Sequence, residues 1–166
     1  MVVGIGGSGK NAVNHMINSK VKGVTFICMN TDTQDLHHSQ AEKKIHIGKN
    51  LTKGLGAGMD PELGKKAAEE TKSEIQDVIK GADMVFIACG MGGGTGTGAA
   101  PIVARAAKEQ GILTVAVTTK PFFFEGSHRM KIADKGIEDL AKEVDAVIII
   151  PNDKLLQLAD QNTSFK

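Results

Sequence analysis

Residues 90–98, Gly-Met-Gly-Gly-Gly-Thr-Gly-Thr-Gly, set six glycines and two hydroxyls between an apolar run and an alanine-rich segment. That composition suits anion binding. Glycine has no Cβ, so the chain can turn with positive φ and bring its N–H groups close to a phosphate. The helix expected next adds its unpaired first-turn N–H groups and the positive end of its dipole. A purely structural turn needs far fewer glycines, so this stretch is read as a phosphate cradle. A second loop, residues 4–11 (Gly-Ile-Gly-Gly-Ser-Gly-Lys-Asn), fits two phosphate patterns incompletely. Read as G-x-G-x-x-G it is a dinucleotide fingerprint, with Asp32 near the place of a ribose-binding acid. Read as G-x-x-x-x-G-K-[ST] it ends in Asn11, which lacks the hydroxyl that holds magnesium. Two cradles on one polyphosphate account for both loops.

Elements that position such loops are legible on either side of them. Short apolar runs at residues 2–5, 24–29, 84–88, 113–118 and 146–150 read as buried parallel strands, with a weaker edge candidate at 44–47. Amphipathic segments lie between them. Leu63, Ala67, Thr71, Ile75 and Val78 share one face of a single helix over 61–80; Met130, Ala133, Ile137, Leu140 and Val144 do so from 127 onward. Residues 11–19 and 97–110 complete the set, with Pro101 expected in a first helical turn. Alternating strands and helices imply right-handed crossovers and a sheet covered on both faces. The loops at the carboxyl ends of the strands, 6–11, 30–32, 90–98 and 121–126, then share one binding face.

Composition limits the possible functions. A chain of 166 residues, 41% hydrophobic and 23% charged, fits one domain with a real core. A net charge of +1 gives no general attraction to nucleic acid or anionic membrane, so an anion must be held by a local site. Cys28 and Cys89 sit inside apolar runs and read as core thiols of a reducing compartment. The histidines, His15, His37, His38, His46 and His128, lack metal-site spacing. No apolar run approaches the roughly 20 residues that span a bilayer. Residues 122–124, three phenylalanines, read as loop packing, and the abrupt ends suggest a piece of a longer protein.

Further motifs follow in order: Gly54-Leu55-Gly56-Ala57-Gly58 with Asp60-Pro61-Glu62, Gly81-Ala82-Asp83-Met84-Val85-Phe86, Pro121-Phe122 with Phe124-Glu125-Gly126, and Ile150-Pro151-Asn152-Asp153. Together with residues 90–98 and the Ala99-Ala100-Pro101 that follows, nearly the whole chain resembles the FtsZ family of bacterial tubulin relatives. The resemblance implies a Rossmann-like, doubly wound parallel α/β sheet of strand order 3-2-1-4-5-6, forming a single GTP-binding domain over residues 1–166. It assigns Gly6, Gly7, Ser8, Gly9, Lys10 and Asn11 to a first phosphate loop. Gly93, Gly94, Thr95 and Gly96 would wrap the α- and β-phosphates, and Ala57 and Gly58 would lie near the γ-phosphate. Glu125 would accept hydrogen bonds from the ribose, Arg129 would stand nearby, and Asn152 would touch the base. Magnesium would accompany GTP or GDP, held by phosphate oxygens and water rather than by a protein cage.

The resemblance also implies self-association into filaments, other division proteins as partners, and a cytoplasmic location at the division site. It implies neither nucleic-acid binding nor membrane insertion. Ser8 and Lys10 replace the family's usual Gly and Asn, and His15 its usual Arg. Lys10 either reaches a phosphate or points to solvent; solvent is favoured, with a modest gain in nucleotide affinity. The family's central helix, acidic loop and second domain would follow Lys166. Catalytic residues are therefore expected from a neighbouring subunit and none from this chain, which would bind GTP weakly without polymerising or turning it over. Two rivals stand beside this reading: an NAD-dependent Rossmann enzyme built on Gly4, Gly6, Gly9 and Asp32, and a non-catalytic module that caps a filament.

Overall fold

Apolar runs rich in β-branched residues have no polar face to offer water, so they pair side by side and need cover on both faces. The computed structural model describes residues 1–58, 60–120 and 127–151, and in it these runs, joined by a polar edge strand at 43–46, form one six-stranded sheet. In chain order the elements are β1 (Val2–Ile5), α1 (Gly6–Asn18), β2 (Phe26–Asn30), α2 (Thr33–His37), β3 (Lys43–His46), α3 (Lys49–Thr52) and α4 (Pro61–Glu70). Then come α5 (Lys72–Ile79), β4 (Met84–Gly90), α6 (Thr95–Glu109), β5 (Leu113–Lys120), α7 (Ser127–Ala141) and β6 (Ala146–Pro151). Every neighbouring pair is parallel and the order is β3-β2-β1-β4-β5-β6, as expected. The chain adds strands in one direction through β3 and then returns to the other side of β1. That switch opens a crevice at the carboxyl ends of β1 and β4.

Side chains alternate across the sheet with the strand period of two. Val3, Ile5, Ile27, Met29, Ile87 and Cys89 pack with α4 to α7, while Val2, Phe26 and Cys28 pack with Val13 of α1 and Leu36 of α2. Beyond α1 this second face is thinly covered among the described residues: Phe86, Leu113 and Ile148 are 38%, 45% and 51% exposed.

Four local expectations change. The segment after β1 is not a loop leading to a helix at residue 11. Gly6, with φ of 74°, makes the whole turn, and α1 starts there. Pro101 is the seventh residue of α6 rather than part of its first turn, so the Thr97 carbonyl lacks its usual intrahelical donor. The helix expected over 61–80 divides at Thr71. The Thr71 hydroxyl donates to the Ala67 carbonyl at 2.9 Å and accepts from the Gly48 N–H at 3.0 Å, tying the break to the start of α3. Finally, α2 and α3 are short helices in stretches read as connections; five and four residues carry too little periodicity to announce a helix.

Candidate functional site

Helices α1 and α6 begin on opposite sides of the β1–β4 crevice, and neither start has a side-chain cap or an acidic first-turn residue. By helical geometry the first amides of each have no intrahelical acceptor. A cleft of about 350 Å³ lies between them. Gly6, Gly7 and Ser8 form its α1 wall, and Gly93, Gly94, Thr95 and Gly96 its α6 wall. Gly58 and Arg129 close the rim, with Ile5, Gly90, Met91 and Thr119 as the floor and sides. No carboxylate lines it among the described residues. A polyanion thus meets oriented donors and one guanidinium, the electrostatics a phosphate chain needs.

Close backbone approach explains where glycine is indispensable. A Cβ on Gly96 would stand 2.6 Å from the Gly90 carbonyl oxygen, so any side chain there would push α6 away from the end of β4. At Gly98 a Cβ would collide with the Pro61 carbonyl oxygen, which lets α4 cross α6 in backbone contact. That crossing brings the 54–58 loop to the cradle, where the Gly94 N–H donates to the Gly58 carbonyl at 2.9 Å. The Gly94 amide is therefore occupied by protein, leaving Gly93, Thr95 and Gly96 as the amides of that wall without a protein acceptor among the described residues.

A hydroxyl pair links the two sides. Thr31, in the loop after β2, meets Thr95 oxygen to oxygen at 2.8 Å. Asp35 of α2, just beyond that loop, holds α1: Lys10 Nζ donates to its Oδ1 at 2.6 Å, while Asn30 Nδ2, at the end of β2, donates to its Oδ2 at 2.9 Å. Lys10 neither faces solvent, as expected, nor lines the cleft. Its side chain is only 13% exposed because Asp35 binds it.

The remaining expected residues divide. Gly9 is buried beneath the cleft, where a Cβ would strike the Ala88 carbonyl, so it serves the close contact of α1 with β4. Asn11 is exposed on α1 and Ala57 is buried behind Gly58; neither lines the cleft. Glu125 and Asn152, together with Phe122, Phe123 and Phe124, lie outside the described residues. Asp32, the acid of the dinucleotide reading, caps α2 by accepting from the Asp35 N–H at 3.1 Å. Gly90 and Met91 fall within the cradle read at 90–98 but receive no role of their own there; sequence reasoning misses Ile5 and Thr119, which lie at the carboxyl ends of β1 and β5.

Neither cysteine offers chemistry. Burial pushes the Cys89 thiol up to about 12, against the weaker opposite effect of its hydrogen bond with Thr118, and burial raises Cys28 as well. Both stay protonated near neutral pH and act as small core residues. Among the described residues no group of His, Cys, Asp or Glu is arranged to hold a metal ion, and no helix is long and apolar enough to cross a membrane.

Known proteins carry the same architecture. A sequence profile of the Tubulin/FtsZ family, GTPase domain, matches residues 1–160. The chain is 56% identical over 164 residues to the cell division protein FtsZ of Rickettsia bellii, a match covering 99% of this chain and 36% of that protein. It superposes on an FtsZ dimer structure from M. jannaschii with a TM-score of 0.90 at 50% identity, covering 95% of this chain and 46% of the other. A GTPgS-bound protofilament of CetZ2 from Haloferax volcanii gives a TM-score of 0.83 at 27% identity, over 92% of this chain and 48% of that one. The chain therefore spans about a third of the Rickettsia relative and just under half of each structural one.

Proposed function

The chain belongs to the Tubulin/FtsZ family as a GTPase domain, and from that premise we propose that it binds GTP and GDP in the β1–β4 cleft on behalf of a filament-forming cell-division GTPase. The observation that carries the proposal is the convergence of two uncapped, glycine-rich helix starts on one cleft that no carboxylate lines among the described residues. Amides of Gly6, Gly7 and Ser8 on one side and Gly93, Thr95 and Gly96 on the other take the phosphates. Gly58 is open to solvent, and a Cβ added there would meet no atom within 4 Å, which leaves room for a terminal phosphate. Arg129 adds charge at the rim. Glu125 is assigned to the ribose and Asn152 to the base.

Magnesium fits this site as a companion of the phosphates, held by their oxygens and by water, since the cleft presents no carboxylate among the described residues. Bound there, it would neutralise phosphate charge. The chain's own contribution is to bind, orient and desolvate the nucleotide; the acid that activates water comes from the adjoining subunit of a filament. The domain on its own then binds GTP weakly, does not polymerise and has negligible turnover. The complete protein works in the cytoplasm at the division site, with further division proteins as partners. Support for assembly comes from relatives whose structures are a dimer and a GTPgS-bound protofilament.

Calorimetric titration with GTP, ATP and NAD in the presence of magnesium tests the reading. Binding of GTP and not of NAD is expected. Binding of NAD alone would return the first loop to a dehydrogenase, and robust GTP turnover by the pure domain would refute the split catalytic site.

A further inference from the structure

Asp35, whose N–H is capped by Asp32, has its carboxylate held beside the first phosphate loop by contacts that capping α2 does not involve. Its Oδ1 accepts from Lys10 Nζ at 2.6 Å, its Oδ2 from Asn30 Nδ2 at 2.9 Å, and its N–H is fixed by Asp32. The carboxylate stands against Gly7: a Cβ on that glycine would lie 3.3 Å from Oδ2. Gly7 itself lines the cleft. A fixed negative charge thus sits beside the helix start that is to receive phosphate, where it opposes an anion and draws on the same end of the α1 dipole. Lys10 projects from that helix, is mostly buried, and spends its ammonium on this carboxylate rather than on the cleft.

We propose that Lys10 and Asp35 set the anion affinity of the first phosphate loop by charge masking, Lys10 cancelling a carboxylate that the fold holds against Gly7. Lys10 is then a positioning and neutralising residue and touches no phosphate. The proposal rests on the nucleotide reading above and adds the residue pair that tunes it. Its signature is a pair of opposite effects, which a merely structural strut does not give.

The test measures GTP and inorganic tripolyphosphate affinities for the unaltered chain, Lys10→Met, Asp35→Asn and the double variant, with thermal melts of each. Lys10→Met should weaken both ligands about fivefold, Asp35→Asn should tighten them about threefold, and the double variant should return to within about twofold of the starting value. These differences should shrink at high salt. Lys10→Gln carries the same test if Lys10→Met fails to fold. Equal weakening by both single changes, or no change in either, would overturn the proposal. An unaltered chain that ignores GTP but binds tripolyphosphate would refute the nucleotide reading alone, because the four tripolyphosphate affinities still report on the pair.

Discussion

Two kinds of helix start exist side by side in this domain. At α2 and α4 a carboxylate caps the first turn: Asp32 accepts from the Asp35 N–H, and Asp60 accepts from those of Glu62 and Leu63, with Pro61 at the first position of α4. An acid follows in each first turn, Asp35 and Glu62. At α1 and α6 the cap positions are Ile5 and Gly94, which contribute no side-chain hydrogen bond, and no acid follows. A missing cap costs about 1 kcal/mol per helix in the free protein. α3 and α5 also lack a side-chain cap, but of the uncapped helices only α1 and α6 put their starts on the cleft. At α2 and α4 the chain's own carboxylates satisfy the helix start; at α1 and α6 the donors are left for a ligand.

Giving α1 the kind of start that α4 has should produce the largest effect. Ser8 is exposed on the cleft wall in the first turn of α1. Ser8→Asp places a carboxylate on the amides and dipole that phosphate would use. GTP affinity should fall about a hundredfold in calorimetry, while the melting temperature holds or rises slightly, since an acid at a helix N-terminus stabilises by about 0.3–1 kcal/mol. A variant that keeps its affinity would show that the α1 start is not a ligand site, and the comparison between the two kinds of helix would lose its functional meaning.

How much of this arrangement the residues announce follows the same division. The cradle at 90–98 is legible because its glycine content exceeds what a turn needs, and the sheet because buried parallel strands are apolar throughout. The start of α1 is not. Glycines are poor helix formers, so Gly6-Gly7-Ser8-Gly9 reads as loop, although glycines in a first turn serve ligand approach. The partner of Lys10 is hidden for another reason: Asp35 lies 25 residues away on a helix too short to show periodicity, and only the pairing of β1 with β2 brings them together. The break at Thr71 depends on a side-chain hydrogen bond to Gly48, again a contact between distant segments.

On the α6 side the cleft can be narrowed without disturbing the fold. Gly93 has no positive φ, and a Cβ there would meet no atom within 4 Å, so alanine suits the backbone. Because Gly93 lines the cleft, the added methyl would occupy phosphate space. Gly93→Ala should weaken GTP about tenfold and leave the melting temperature within about two degrees, as for other substitutions that create neither a cavity nor a clash. An equal loss of stability would mean that the glycine serves the fold, and the α6 start would then resemble the capped helices more than its open donors suggest.

The smallest effect is expected from the converse change, removing the cap from α4. Asp60 is exposed and its Oδ1 accepts from the N–H groups of Glu62 at 3.1 Å and Leu63 at 3.4 Å. Asp60→Ala should cost about 1 kcal/mol of stability, lowering the melting temperature by about 2–4 °C. If capping serves only the fold here, GTP affinity stays within about twofold of the unaltered chain, since α4 is held to α6 by the crossing at Gly64 and Gly98 rather than by its first turn. The result also bears on the 54–58 loop, which is joined to the cradle through Gly58 and lies just before Asp60 in the chain. A loss of affinity alongside the loss of stability would mean that the cap holds that loop in place, so that even the internally satisfied helix start contributes to binding through the backbone it anchors.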